Sequence, residues 1–286
     1  MLGKRGARTL GWLALSVTVL AACNAISGLD ADYQLAGGGT LPADDGGDGA
    51  SADASSDLTA PDASGPFRCP ASPPVGQLFC DDFEGAVDRW HRSEALPSGS
   101  TLTVEDGIGV HASRGLRVRA STGAQSRKVV RWHSVATSFP VGSSLELAFR
   151  FKLDAADLSY FVLGAIQVDK QGAIGNAEYG LAVYKSCAGV PCLDENNPQG
   201  EGTHTFQDTL AYTIGQWYEA KTIVTRDAAG YKGTTTVDGK AIDTSGETYF
   251  SGDPTKVDVG VGIFYSSVES GVTAEAVIDD VVVTQR

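Results

Sequence analysis

The stretch Trp217–Asp243, WYEAKTIVTRDAAGYKGTTTVDGKAID, decides the fold. Tyr218, Ala220, Thr222 and Val224 fall on one side of an extended chain, and Glu219, Lys221, Ile223 and Thr225 on the other. That period of two marks a half-buried strand, because successive side chains point to opposite faces. Asp227–Gly230 supplies turn residues, and a second extended run occupies Tyr231–Val237. Asp238-Gly239 is a tight-turn dipeptide, after which a third strand begins at Lys240. Three consecutive antiparallel strands are expected here.

Working outward, the same pattern recurs from residue 67 to the last residue. Strands are expected at Gln77–Phe83, Leu102–Glu105, Leu116–Ala120, Lys128–Thr137, Leu145–Leu153 and Tyr160–Asp169. Others are expected at Ala177–Lys185, Thr205–Tyr212, Lys240–Asp243, Lys256–Ser266 and Ala274–Thr284. Leu145, Leu147, Phe149, Phe151 and Leu153 share one face, so this strand looks into a core with Glu146, Arg150 and Lys152 turned away. A single helical turn is expected at Asp154–Leu158, and no internal repeat is visible. Many short strands separated by Gly, Pro, Asn and Asp imply an all-β, two-sheet antiparallel sandwich. A domain of this length buries enough surface to fold without a metal or a disulfide.

Residues 1–66 have a different composition. Lys4, Arg5 and Arg8 precede an apolar run, Leu10–Leu20, that is too short to span a bilayer, and Leu20-Ala21-Ala22-Cys23 follows. Residues 1–22 therefore look like a secretory signal, and the ending is similar to a bacterial lipobox in which Cys23 carries the lipid. Asn24 after it implies, by the sorting rules of such lipoproteins, the outer membrane or cell surface. Residues 23–66 contain no Lys or Arg and are rich in Asp, Gly, Ala and Ser, the composition of a flexible acidic tether. Four further cysteines in an exported chain imply disulfides, with the sequence neighbours Cys69–Cys80 and Cys187–Cys192 the expected pairs. The formal net charge is −13, and residues 67–286 remain net acidic, which argues against nucleic acid as a partner.

A Trp opening a strand, a Gly-containing turn and a strand ending Val237-Asp238-Gly239 together resemble the laminin-G and concanavalin A-like jelly-roll superfamily. Asp81-Asp82-Phe83-Glu84-Gly85, with Trp90 after it, and Ile278-Asp279-Asp280-Val281-Val282-Val283 resemble the first and last strands of its laminarinase-like branch. In that branch these strands lie side by side and hold a structural Ca²⁺, a hard cation that takes several oxygens. The resemblance implies Asp279 as the ligand, with Asp82 and Asp280 beside it. The segment after Cys23 also resembles surface lipoproteins of myxobacteria.

The hydrolytic members carry two glutamates on a Gly-Glu-Ile-Asp-Ile-x-Glu strand, placed about 5 Å apart across the scissile bond. The corresponding run here is Gly164-Ala165-Ile166-Gln167-Val168-Asp169, which lacks the nucleophile and argues against a retaining glucanase. The alginate-lyase branch uses two arginines on one strand and Gln-Ile-His on another. Arg127 and Arg131 keep that spacing, with His133 on the same face; Gln167 is kept, Asp169 replaces the His, and Tyr265 stands near the late-strand Tyr. In a lyase, Arg127, Arg131 and Gln167 would neutralise a uronate carboxylate, and His133 or Tyr265 would take the proton. Arg127, Arg131 and His133 also make an ordinary solvated strand face, and that is the reading preferred here.

Sugar binding on such sandwiches uses aromatic faces, and Trp132, Tyr160, Tyr184 and Tyr265 are candidates. Trp90 and Trp217 are assigned to the core, and His91, His111 and His204 to surface or turn positions. The sequence reading is a lipid-anchored, non-catalytic carbohydrate-binding or adhesion module. A polysaccharide lyase is the alternative, and a structural envelope lipoprotein without ligand is a further one.

Overall fold

The computed structural model describes residues 67–85, 88–96, 99–120, 128–136, 139–170, 176–187, 189–196, 208–242, 253–266, 269 and 271–286. The expected signal, Cys23, the tether, Arg127 and His204 lie outside the described residues. The described strands are β1 (Gln77–Asp81), β2 (Arg92–Leu96), β3 (Thr101–Glu105), β4 (Gly115–Ala120), β5 (Lys128–Ala136) and β6 (Ser144–Ala156). They continue with β7 (Tyr160–Lys170), β8 (Asn176–Cys187), β9 (Val190–Asn196), β10 (Leu210–Ala211) and β11 (Trp217–Arg226). The series ends with β12 (Tyr231–Val237), β13 (Lys240–Ala241), β14 (Pro254–Ser266) and β15 (Ala274–Gln285). The opening stretch thus folds as β11–β12–β13, with Tyr218, Ala220, Thr222 and Val224 buried as the alternation requires.

Two antiparallel sheets stack as a sandwich. The first has the order β13-β12-β11-β6-β15-β4-β3, with β1 also paired to β15. The second runs β10-β9-β8-β7-β14-β5-β2. Leu145, Leu147, Phe149, Phe151 and Leu153 of β6 all face the shared core, where they meet Val129, Ile166, Tyr179 and Val259 of the second sheet. Burying each such side chain stabilises the fold by about 1.5–3 kcal/mol. The expected helical turn at Asp154–Leu158 is instead the end of β6 followed by a bend, because Ala155 and Ala156 still pair with β15.

The first and last strands run side by side: Cys80 opposes Val282 and Asp81 opposes Val281. One edge of β15 is divided, its first half pairing with β4 and its second half with β1. A bulge at Asp279–Asp280 marks the change, with Asp280 at φ 53°. Both expected disulfides are present, Cys69–Cys80 fastening the leading segment to β1 and Cys187–Cys192 bracing the β8–β9 turn.

Another bulge matters for the site. In β7, Phe161 and Leu163 face the core, whereas after Gly164 the core-facing residues are Ile166 and Val168. One extra residue reverses the parity, because the side-chain period of a strand is two. Gly164 has φ +86°, and a Cβ there would lie 2.6 Å from the Phe149 ring. Only glycine satisfies both conditions. The bulge therefore turns Gln167 and Asp169 to the outer face of the second sheet.

Candidate functional site

Across the second sheet, cross-strand register fixes which residues share the outer face. Arg92, Trp132, Gly260, Ala165, Gly180 and Asn196 form one row over six strands. Ser134, Asp258, Gln167 and Glu178 form the next. Gly260, Ala165 and Gly180 leave the centre of the first row without bulky side chains. Trp132 and Phe264 pack edge to face on one side at 4.7 Å between ring centroids, and Tyr160 and Tyr184 lie in contact on the other at 4.9 Å.

A hydrogen-bonded cluster surrounds Glu178. Gln167 Nε2 donates to Glu178 Oε2 at 3.3 Å, and Asn196 Nδ2 reaches the Glu178 carbonyl at 3.2 Å and Oε1 at 3.5 Å. Tyr160 donates its phenolic hydrogen to Asn196 Oδ1 at 2.7 Å. Burial pushes the Glu178 carboxyl up to about 7, against the opposing pull of Lys128 and the Gln167 hydrogen bond. A carboxyl poised near neutrality can exchange a proton at working pH.

The adjoining cluster centres on Asp258, which is 4% exposed. Ser134 Oγ donates to it at 2.7 Å, Lys256 Nζ at 2.5 Å, and Arg92 lies 3.6 Å away. Asp169 faces this group, and burial followed by repulsion from Asp258 raises its carboxyl, opposed by Lys256 and Arg92.

The residues singled out from the sequence separate into two sets. Gln167, Asp169, Trp132, Tyr160 and Tyr184 do share the outer face. Arg131 and His133 do not, since they oppose the core-facing Val261 and Val259. Arg131 is held 3.6 Å from Asp88. His133 packs on Phe79 and stacks on His91, and burial and the neighbouring His91 lower its pKa. His91 accepts a hydrogen bond from the Ser134 backbone at 2.9 Å, so it braces this corner. Tyr265 opposes Val162, and its side chain is outside the described residues. Among the described residues, Arg131 and His133 therefore do not join the outer-face group that the lyase alternative requires: β5 turns them inward and its tryptophan outward. Trp90 is a core residue bonded to Asp81 Oδ2 at 2.6 Å, whereas Trp217 is only half-buried under Lys152.

The candidate calcium ligands occupy the β15 bulge and the end of β1. Asp279 Oδ2 accepts from Val110 N and Ser113 Oγ, both at 2.9 Å, and its Oδ1 accepts from Asp280 N at 2.9 Å. Asp82 accepts from the backbone of Cys69 and of Glu84, and Asp280 faces Arg150 at 3.6 Å. Among the described residues no three His, Cys, Asp or Glu side chains gather as a metal site. Hydrogen-bond donors meet Asp279 and Asp82, whereas the buried Asp280 Oδ2 has no hydrogen-bond donor among the described residues and faces only the Arg150 guanidinium at 3.6 Å.

Sequence reasoning missed Glu178, Asn196, Arg92 and Lys128. Glu178 was legible in principle, since Glu178, Gly180, Ala182 and Tyr184 alternate with the apolar Ala177, Tyr179, Leu181 and Val183.

No family model and no curated protein sequence matches this chain. Solved structures do match. An endo-β-1,4-glucuronan lyase from the fungus Trichoderma reesei aligns with a TM-score of 0.51 at 11% identity, over 73% of this chain and 95% of that one. The alginate lyase Aly36B aligns with a TM-score of 0.51 at 11% identity, over 73% and 96%. These likenesses overturn the expectation of a non-catalytic binding or adhesion module. At such identity they establish the fold alone, a two-layer antiparallel jelly roll.

Proposed function

We propose that this chain is a polysaccharide lyase that cleaves uronate-containing polymers, with Glu178 as the proton-abstracting base. The observation that carries this reading is the Glu178 carboxyl, near neutral in its proton affinity and held by amide donors on the outer face of the second sheet. The shared fold with glucuronan and alginate lyases supports it. In the reaction, Glu178 takes the proton from the carbon beside the uronate carboxyl group. The electron pair forms a carbon–carbon double bond, the adjacent glycosidic carbon–oxygen bond breaks, and the leaving oxygen is protonated. Tyr160, within the same hydrogen-bonded cluster, serves as that proton donor. Gln167 and Asn196 hold the Glu178 carboxyl in place for this transfer.

The test is direct. Incubated with sodium glucuronan or alginate, the full chain should raise the ultraviolet absorbance through its unsaturated product, and Glu178→Gln should reduce the rate about a hundredfold or more. An equal rate in the variant removes Glu178 from the chemistry. The anchoring of the chain at the outer membrane or cell surface through lipidated Cys23 belongs to the same proposal. Incorporation of labelled fatty acid that is lost in Cys23→Ser tests it, and incorporation unchanged by the substitution rejects it.

A further inference from the structure

Trp132 lies on the outer face and is 1% exposed, yet its Nε1–H has no hydrogen-bond acceptor among the described residues. Buried N–H groups nearly always find a partner, so an orphan on a binding face calls for an acceptor from elsewhere. Two cations flank the same ring: the Arg92 guanidinium carbon is 4.9 Å from its centroid and the Lys128 ammonium 4.8 Å. Both also form ion pairs with Glu94, at 3.4 and 3.6 Å, and Arg92 lies 3.6 Å from Asp258. The Arg92 and Lys128 side chains are 44% and 34% exposed, so they form the side of the group open to solvent. With cations over it and Phe264 against it, the ring is not free to stack on a sugar.

We infer that Arg92, Lys128 and the Trp132 Nε1–H form an anion subsite that holds an oxyanion on the sugar chain beside the Glu178 cluster. The inference rests on the lyase reading for its substrate but assigns Trp132 a role that reading does not contain. The Trp132 ring reaches over Gly260 of β14, Tyr160 packs against the same cluster, and Lys128 acts on Glu178, so the anion held here lies beside the Glu178 cluster. Two cations lie over the ring and its neutral donor lies at the ring edge, groups of the kind that hold a carboxylate or sulfate. Its attraction competes with the long Glu94 contacts and is screened by salt.

Binding rather than turnover tests this. Calorimetric titration of the full chain carrying Glu178→Gln with alginate oligosaccharides, and with the same oligosaccharides after carboxyl reduction, separates charge from shape. Trp132→Phe keeps the ring and removes the donor, and Arg92→Gln changes an exposed side chain. Each should weaken binding of the charged oligosaccharide about tenfold and leave binding of the reduced one unchanged. Dextran sulfate of matched length distinguishes sulfate from carboxylate as the preferred anion, and binding of either that requires Arg92 and Trp132 supports the subsite. Equal affinity in Trp132→Phe and the parent, or equal loss for charged and reduced ligands, overturns it. Charged oligosaccharides that bind through Trp132 to a chain with no lyase activity would sink the catalytic reading and leave the subsite standing.

Discussion

Asp279 sits where β15 passes its edge from β4 to β1, and its two oxygens accept three hydrogen bonds there. Gly109 beside it has no room for a side chain, since a Cβ would lie 2.5 Å from Asp279 Oδ2. Burial, then repulsion from Asp280, pushes the Asp279 carboxyl from 3.8 up to about 7. On raising the pH, the unfolded carboxyl loses its proton first, while the folded one still holds it. The stability contributed by this group is therefore greatest below about pH 4 and falls as pH rises towards 7. The advantage of the parent over Asp279→Asn in denaturant unfolding should accordingly shrink by about 2 kcal/mol or more between those limits. A pH-independent difference would contradict this account. The same titration logic gives Glu178 a kinetic signature: turnover should rise as pH passes through about 7, when the base loses its proton. At this scale the sequence was a partial guide. It identified Gln167, Asp169, Trp132, Tyr160 and Tyr184 as surface candidates, but the partners that define Glu178 sit on the neighbouring strands β7 and β9, and only the register of those strands brings them together.

Among the elements, β7 carries the clearest consequence. Its bulge at Gly164 decides whether Gln167 meets Glu178 or points into the core. Gly164→Ala places a methyl group against Phe149 at positive φ, and it should lower stability by more than about 1 kcal/mol, measured by denaturant midpoint. It should also lower lyase rates by more than the loss of folded protein explains, and unchanged rates per folded molecule would contradict the parity argument. Most strands were legible because their apolar residues alternate without interruption, as in Leu145–Leu153. β2 and β9 were not, for specific reasons. Arg92-Ser93-Glu94-Ala95-Leu96 has no β-branched or aromatic residue, and Val190–Asn196 contains Pro191 and borders a disulfide-braced turn. Both take their conformation from the neighbours they pair with, β5 and β8.

For the molecule as a whole, closure of the sandwich depends on β1 lying along β15, and the Cys69–Cys80 bond ties the leading segment to that strand. Replacing both cysteines by serine should cost about 3 kcal/mol in unfolding free energy, and no measurable loss would show that the strand pairing alone holds the segment. The fold was readable because one long hairpin stretch, many alternating runs and two matching end segments all imply the same layered architecture. The inward turn of Arg131 and His133 was not, because alternation says which residues share a face and leaves open which face looks outward.

The measurement closest to the central claim is the ultraviolet absorbance of glucuronan and alginate solutions incubated with the full chain and, separately, with Glu178→Gln. The account predicts a steady rise with the parent chain, faster above than below about pH 7, and a rate at least about a hundredfold lower with the variant. No rise with either polymer, or the same rise with both proteins, would contradict it.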